Sequence, residues 1–351
     1  MLPEKIYFSL RRLYIKIFSW EYWPMYVVYF PVSIYYIYLA AKARSFFFFS
    51  ASNPTIETGG MFFESKMKIF ELIPKELYPA TIYIEEKHTL EQILNIMSEN
   101  AIAFPVIAKP DRGERGWCVQ KIENDNELVI YKAKNKIPFL IQAFVSYDLE
   151  FSVFYCKNPS EKIGRVTSVT FKKLLSIVGD GMSTVDELIK KDNRAFLQYH
   201  TLKNSKSIDF KMILPKGVKQ ILVPYGNHVR GAEFLDYNHI IEPQLTNTFD
   251  NISKRINGFY YGRFDLRCTS IEDLIAGKNI QILELNGAGA EPAHIYDPKF
   301  SFIKAQQVLA NHYKLMYDIA IHNKKKGVNF MTLRQYKALK KEEKIFKMKA
   351  A

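Results

Sequence analysis

Tyr260-Tyr-Gly-Arg-Phe-Asp-Leu-Arg267 and Ile280-Gln-Ile-Leu-Glu-Leu-Asn286 read as two strands, each with a side-chain period of two. On the first, Arg263, Asp265 and Arg267 share one face, while Phe264 and Leu266 take the other. On the second, Glu284 and Asn286 project together where an apolar strand runs into Gly287-Ala-Gly289. A surface hairpin with ordinary ion pairs would use the same residue types. Two carboxylates and an amide beside arginines also suit Mg²⁺ bridging the oxygens of a polyphosphate, because Mg²⁺ takes few protein ligands and completes its octahedron with water and phosphate.

Upstream, Phe104-Pro-Val-Ile-Ala-Lys109-Pro-Asp-Arg-Gly-Glu-Arg-Gly116 supplies a second half. An apolar strand delivers Lys109, Pro110 ends it, and a loop with Gly113 and Gly116 follows. Glycine permits positive φ and close backbone approach, so such a loop can fold its N–H groups over phosphates. Lys109 would act as a point charge on phosphate oxygens. The segment is not a Walker loop, since no Gly-Lys-Ser/Thr follows.

These segments together resemble the ATP-grasp superfamily, specifically its D-alanine–D-alanine ligase-like and cyanophycin synthetase-like carboxylate–amine ligases, from about Glu64 to about Pro298. The resemblance implies an α/β (α+β) fold of two subdomains clasping ATP. Glu64-Ser-Lys66-Met-Lys68 and Tyr78-Pro-Ala-Thr81 look like the opening helix and strand of the nucleotide unit. Lys109 matches the phosphate-binding lysine, and Asp111, Gly113 and Gly116 the flexible lid loop. Gln142, Ala143, Phe144 and Val145 look like the hinge that meets adenine, and Glu150 sits where these ligases hold the ribose. Pro224-Tyr-Gly-Asn227-His-Val-Arg230-Gly-Ala232 resembles a cyanophycin-type loop that would aim Arg230 at the transferred phosphate. Asp265, Glu284 and Asn286 match metal ligands, and Arg263 an arginine near the phosphates. The cofactors implied are ATP and Mg²⁺, with two ions and Mn²⁺ as a substitute. Lys172 or Lys173 is expected to bind the acid, and His228 and His294 to line the substrate pocket.

Ile177-Val-Gly-Asp-Gly-Met-Ser-Thr-Val-Asp-Glu-Leu-Ile189 is similar to a turn-and-helix of the amide-forming members. Its local physics stands alone: Gly179-Asp-Gly181 makes a tight turn, and Thr184-Val-Asp-Glu187 is a capping box. One departure is plain. These ligases usually carry a Rossmann-like substrate domain before the nucleotide unit, and residues 1–63 read as something else. Nothing therefore assigns D-alanine as substrate.

Tyr22 to Ala41 contains no charged residue and is long enough to cross a bilayer core, yet it holds Pro24, Pro31, Trp23 and several tyrosines, which prefer the water–lipid interface. Lys5, Arg11, Arg12 and Lys16 precede it, and Lys42 and Arg44 follow, so the positive-inside rule gives little orientation bias. A monotopic or re-entrant anchor on the cytoplasmic face is the first expectation, a single span the second, and a buried helix of a soluble protein the third. No small-residue cleavage pattern marks a signal peptide. The expected organisation is an anchor over 1–50, a connecting loop over 51–63 with Gly59-Gly60 as hinge, an opening helix and lid unit over 64–146, a C-terminal unit with the Mg²⁺ site over 147–322, and a basic tail over 323–351. Ser50 to Thr58 reads as a plain linker, or as a substrate loop.

The net charge of +13 points to an anionic partner: nucleotide or anionic lipid. Much of the excess is in the lysine-rich tail from Lys324 to Lys349, which could add attraction to an acidic membrane surface. Nucleic-acid binding is not expected, because no such fold signature accompanies the charge. The three cysteines, Cys118, Cys156 and Cys268, form no pair that signals zinc or a disulfide framework. Between motifs, Glu127 to Lys132 reads as a lid strand, Arg165 to Phe171 as a sheet strand, and Val185 to Leu202 and Phe249 to Ile256 as helices. Phe302 to Ile321 carries an apolar stripe at helical spacing that includes Ile303, Leu309 and Met316. The chemistry this suggests is transfer of the γ-phosphate to a small-molecule or lipid-linked carboxylate, then attack by an amine on the acylphosphate. A kinase acting on a hydroxyl, and a non-catalytic membrane scaffold, are the rival readings.

Overall fold

The computed structural model describes residues 4–114, 116–205 and 208–349; Arg115 of the expected lid loop and the outermost residues of both expected terminal segments lie outside them. Two helices open the chain, α1 (Glu4–Phe18) and α2 (Met25–Ala43), linked through a 3-10 turn at Trp20–Tyr22. Further 3-10 turns at Phe48–Ala51 and Glu57–Gly59 lead to α3 (Lys66–Phe70). A first unit then alternates β1 (Thr81–Ile84), α4 (Leu90–Glu99), β2 (Val106–Pro110), β3 (Gln120–Ile122), α5 (Asp125–Lys134) and β4 (Phe139–Ala143). Its strands form an antiparallel sheet ordered β1-β4-β2-β3. Ile93 and Met97 of α4 and Leu128 and Tyr131 of α5 close a core with Ile84, Val106, Ala108 and Ile141. Each large apolar side chain so buried contributes roughly 1.5–3 kcal/mol.

The second unit starts with β5 (Leu149–Cys156) and β6 (Arg165–Lys173). β7 (Ser176–Val178) and β8 (Lys219–Ile221) make a separate ribbon around α6 (Val185–Lys191), α7 (Asn193–Leu197) and α8 (Tyr199–Ser205). β9 (Glu233–Asp236), α9 (Pro243–Lys254), β10 (Tyr261–Cys268), α10 (Ile271–Ala276) and β11 (Ile280–Asn286) follow, giving an antiparallel sheet ordered β11-β10-β5-β6-β9. The inner face of this sheet packs Phe151, Val153, Phe264 and Leu266 against Leu245 and Phe249 of α9. Two helices end the chain, α11 (Phe302–Lys325) and α12 (Leu333–Lys349). The fold is thus mixed α and β, with antiparallel sheets.

Several local expectations give way to packing and capping. Glu127 to Lys132 lies in α5, because Asn124 caps Glu127 N at 3.1 Å, acids fill the first turn and lysines the last. The single helix expected over Val185–Leu202 is broken at Asp192, whose carboxylate accepts from Ala195 N at 2.7 Å and starts a new helix. The capping box at Thr184 and Glu187 forms as read. On α11, Leu309, Met316 and Ala320 are buried, but Ile303 is 71% exposed and leaves the stripe.

The Ser50–Thr58 stretch is neither linker nor open loop. Asn53 is fully buried; its amide donates to Gly59 O (2.9 Å) and Tyr261 O (2.8 Å) and accepts from Tyr260 N and Tyr261 N. Gly59-Gly60 is no hinge either. Ala288 N and Gly289 N donate to the carbonyls of Gly59 and Gly60, and a Cβ on Gly60 would stand 2.6 Å from Gly287 Cα. Glycine is required there by close backbone approach and by a φ of +78°. Tyr22 to Ala41 divides between a 3-10 turn and α2, which buries Val28, Val32, Leu39 and Ala40. Among the described residues no helix is long and apolar enough to cross a membrane, so the single-span expectation is not met.

Candidate active site

Between the two sheets lies a cleft of about 990 Å³, counting its open mouth. The register of the larger sheet brings its floor together. Arg267 pairs across β10 and β5 with Glu150, and Asp265 with Ser152, so one face of three strands carries these side chains. Across β10 and β11, Asp265 pairs with Glu284 and Leu266 with Ile282. That shift leaves Leu283 as the extra residue of a β-bulge. Its carbonyl, freed from the ladder, accepts from Lys109 Nζ at 2.9 Å, and Lys109 also donates to Gln142 Oε1 at 2.9 Å. One lysine of the smaller sheet thus bridges to the edge strand of the larger one.

Asp265 is the most heavily engaged group. Arg263 meets it with two contacts of 3.0 Å, Lys172 stands 3.2 Å away, Asn286 Nδ2 donates at 3.0 Å, and Ser152 Oγ donates to Oδ1. Burial works against ionisation, but Arg263 and Lys172 outweigh it and hold this carboxyl well below the usual range. Lys172 also lies 3.4 Å from Glu150, whose other oxygen faces Arg267 at 3.3 Å. Arg267 fixes the hinge and the opposite loop, donating to Val145 O at 2.8 Å and Pro224 O at 3.3 Å. Burial lowers the Lys109 ammonium to about 8, with Glu284 opposing that shift. Lys66 stands 3.8 Å from Glu284 and donates to Gly113 O. Four cations, Lys66, Lys109, Lys172 and Arg267, and four carboxylates, Glu114, Glu150, Asp265 and Glu284, line this partly desolvated cleft. Among the described residues Lys109 bonds only neutral acceptors, which suits it to an anionic ligand.

Oxygen donors of the kind Mg²⁺ takes are present. Glu284 is half-buried and opens to the cleft with one distant cation, Asp265 is its register partner, and Asn286 keeps a carbonyl oxygen beyond its bond to Asp265. No cluster of three His, Cys, Asp or Glu among the described residues could hold a metal by itself. These donors fit an ion whose remaining ligands are phosphate and water.

The cleft is lined by Lys109, Gly113, Gly116, Gln142, Ala143, Phe144, Val145, Glu150, Lys172, Asp265 and Glu284 of the expected set. Gly113 and Gly116 both adopt positive φ. Others are placed elsewhere. Asp111 is buried and holds the start of α3, accepting from Ser65 Oγ and Met67 N at 2.9 Å. Arg263 and Asn286, register partners across β10 and β11, both bond the Asp265 carboxylate and are not among the residues lining the cleft. Arg230 lies at the rim, its guanidinium donating to Gly116 O at 3.3 Å. Lys173 points outward to Glu233 at 2.8 Å. His228 binds Glu21 of the N-terminal segment at 2.9 Å, and His294 is buried against Ser168 at 2.6 Å with its pKa lowered by burial. Neither histidine lines the pocket. Lys66, Arg267, Tyr225 and Gly226 line it as well, outside the expected set. The period of β10 marks Arg267, whereas nothing local marks Lys66 or Gly226.

No protein-family model and no curated protein matches this chain. Among solved structures it is similar to a bifunctional glutathione synthetase of Pasteurella multocida (15% identity over 70% of this chain and 35% of that one, TM-score 0.38). It is also similar to a D-Ala:D-Ser ligase of Enterococcus faecalis (13%, 71% and 61%, TM-score 0.40) and to the D-alanine–D-alanine ligase of Coxiella burnetii (9%, 78% and 60%, TM-score 0.42). The chain thus spans only about a third to three fifths of the length of these proteins. At such TM-scores the likenesses carry no argument about activity, and the functional reading rests on the geometry of the cleft.

Proposed function

We propose that this chain is an ATP-grasp ligase that joins a carboxylate to an amine through an acylphosphate. The observation carrying this reading is the convergence of Lys109, Glu150, Lys172, Arg267, Asp265 and Glu284 on one cleft between two antiparallel sheets. In it, adenine lies along Gln142, Ala143, Phe144 and Val145, the ribose near Glu150, and the phosphates run toward Lys109 and Lys66. Mg²⁺, or Mn²⁺ in its place, would be held by Asp265, Glu284 and Asn286 and would neutralise phosphate oxygens during transfer.

A carboxylate oxygen of the acid attacks the γ-phosphorus, and the bond to the β–γ bridging oxygen breaks, leaving ADP. Lys109 offsets the charge that develops, while Arg263 keeps Asp265 ionised and oriented. The loop at Gly113 and Gly116 covers the cleft and excludes water that would hydrolyse the acylphosphate, with Arg230 positioning that loop through Gly116 O. The amine nitrogen then attacks the acyl carbon, the bond to the phosphate oxygen breaks, and the nitrogen loses a proton. Lys172 is the cation best placed for the acid. A lipid-linked or membrane-delivered substrate is suggested by the N-terminal helices alone.

The test is ADP release by full-length protein with Mg-ATP, cell extract and hydroxylamine, beside the Glu284→Ala variant. Hydroxylamine-dependent turnover with hydroxamate formation, lost in the variant, is the expected result. Turnover yielding a stable phosphoester and no hydroxamate would replace this reading with a kinase, and equal inactivity of both proteins toward fractionated extracts would favour a scaffold.

A further inference from the structure

Helices α1 and α2 each bury one face and leave the other, largely apolar, in solvent. On α1, Ile6, Leu10, Leu13 and Ile17 recur at three- and four-residue steps with Tyr14 and Phe18 beside them, all 46–73% exposed. The opposite face is committed to protein: Phe8 packs on Phe196 at 4.7 Å, Ile15 is buried, and Arg11 donates to Lys190 O at 2.6 Å. On α2, Tyr26, Phe30, Ile34, Ile37 and Tyr38 form a second stripe, 53–78% exposed. Val28, Val32 and Leu39 fill the protein side. Two consecutive helices with the same division are not scattered surface hydrophobics; contiguous apolar area of this kind marks an interaction surface.

We propose that these two stripes dock onto an anionic lipid bilayer, with both helices lying in the plane of the headgroup region. Three observations favour lipid over a second copy of the chain. The stripes are rich in tyrosine and phenylalanine, whose rings suit the water–lipid boundary. Lys16, Lys42 and Arg44 are exposed beside them, and from Ile6 to Phe49 the single acid, Glu21, is already tied to Arg194 (2.8 Å) and His228 (2.9 Å). A second copy would set like charges against one another, whereas acidic headgroups neutralise them. Finally, no helix among the described residues can cross a membrane, and both helices keep a face in the protein, which is the arrangement of an in-plane amphipathic anchor. This inference stands apart from the ligase reading and survives its failure.

Flotation of the full chain with vesicles tests it, using phosphatidylcholine alone and phosphatidylcholine with about a quarter phosphatidylglycerol. The wild type should float with the mixed vesicles and more weakly with the neutral ones. The triple variant Phe18→Glu, Phe30→Glu, Ile34→Glu alters only exposed positions; it should keep its melting temperature and lose roughly tenfold or more in partitioning. Lys16→Glu with Arg44→Glu should abolish the preference for the acidic vesicles. Three results would overturn the proposal: no flotation of the wild type, equal flotation of the triple variant, or a vesicle-free dimer that the same glutamates dissociate.

Discussion

Asn53→Ala tests whether the segment before the first sheet is part of the core. Asn53 uses its full hydrogen-bonding capacity, two donated and two accepted bonds of 2.8–3.0 Å, all to backbone at Gly59, Tyr260 and Tyr261. Each such bond contributes about 1 kcal/mol net, and buried groups left unpaired cost more, so the loss should be about 4 kcal/mol. For a chain of 351 residues, an unfolding entropy of about 2.1 cal/mol/K per residue turns this into a fall in melting temperature of about 5 °C. Asn53→Asp should be at least as damaging, since it keeps the acceptor but replaces both donors with a buried charge. Thr55→Ala is the control: its hydroxyl bonds Asn257 O at 2.6 Å at an exposed site, and its loss should cost less than about 1 kcal/mol. Calorimetry or urea titration reads all three. Equal effects of Asn53→Ala and Thr55→Ala would refute the reasoning and return the segment to a linker.

Two further changes probe the cleft. Gly226→Ala would place a Cβ 2.1 Å from Glu150 Oε1 and 2.8 Å from Lys172 Cδ, so it should weaken nucleotide binding about tenfold or more in a fluorescent-nucleotide titration and, by displacing Glu150 from Lys172 and Arg267, lower the melting temperature as well. Glu64 carries an unpartnered buried oxygen, and burial raises its carboxyl to about 7. Because this folded-state value lies above the unfolded one of 4.5, the native state holds the proton longer; the contribution of Glu64 to stability is full below pH 4.5 and is lost as pH rises through about 7. Glu64→Gln should therefore be more stable than wild type by roughly 3 kcal/mol above pH 7, with the difference vanishing below pH 4.5, as followed by urea titration across pH.

Much of the cleft floor is legible in the sequence because strand periodicity is a local property. Arg263, Asp265 and Arg267 fall on one side of β10 whatever surrounds them, and the hydrophobic residues between them fix which side is buried. The bulge at Leu283, which releases the carbonyl that Lys109 uses, depends on register with a neighbouring strand and leaves no trace in the sequence. Asn53 reads as a loop residue until Tyr261, more than two hundred positions later, is placed beside it. His228 sits in a glycine-bounded loop that suggests a pocket, but Glu21 and Tyr22 claim it from the N-terminal side. Helix α5 reads as a strand from its short apolar run, while its cap and charged ends favour the helix.

The two carboxylates proposed to hold metal are not equivalent probes, and the difference follows from what surrounds each. Asp265 anchors Arg263 and Lys172 in a buried cluster, so Asp265→Ala strands two cations and should cost about 3–5 kcal/mol of stability. Glu284 has one cation at 3.8 Å and half-open surroundings, so Glu284→Ala should change stability by less than about 1 kcal/mol. Loss of turnover in the Asp265 variant therefore confounds folding with chemistry, whereas loss in a Glu284 variant with an unchanged melting temperature isolates the cleft. If Glu284→Ala kept full Mg-dependent turnover at wild-type stability, the oxygen-donor reading of β11 would fall, and Lys109, Lys172 and Arg267 would remain as an anion site of another purpose.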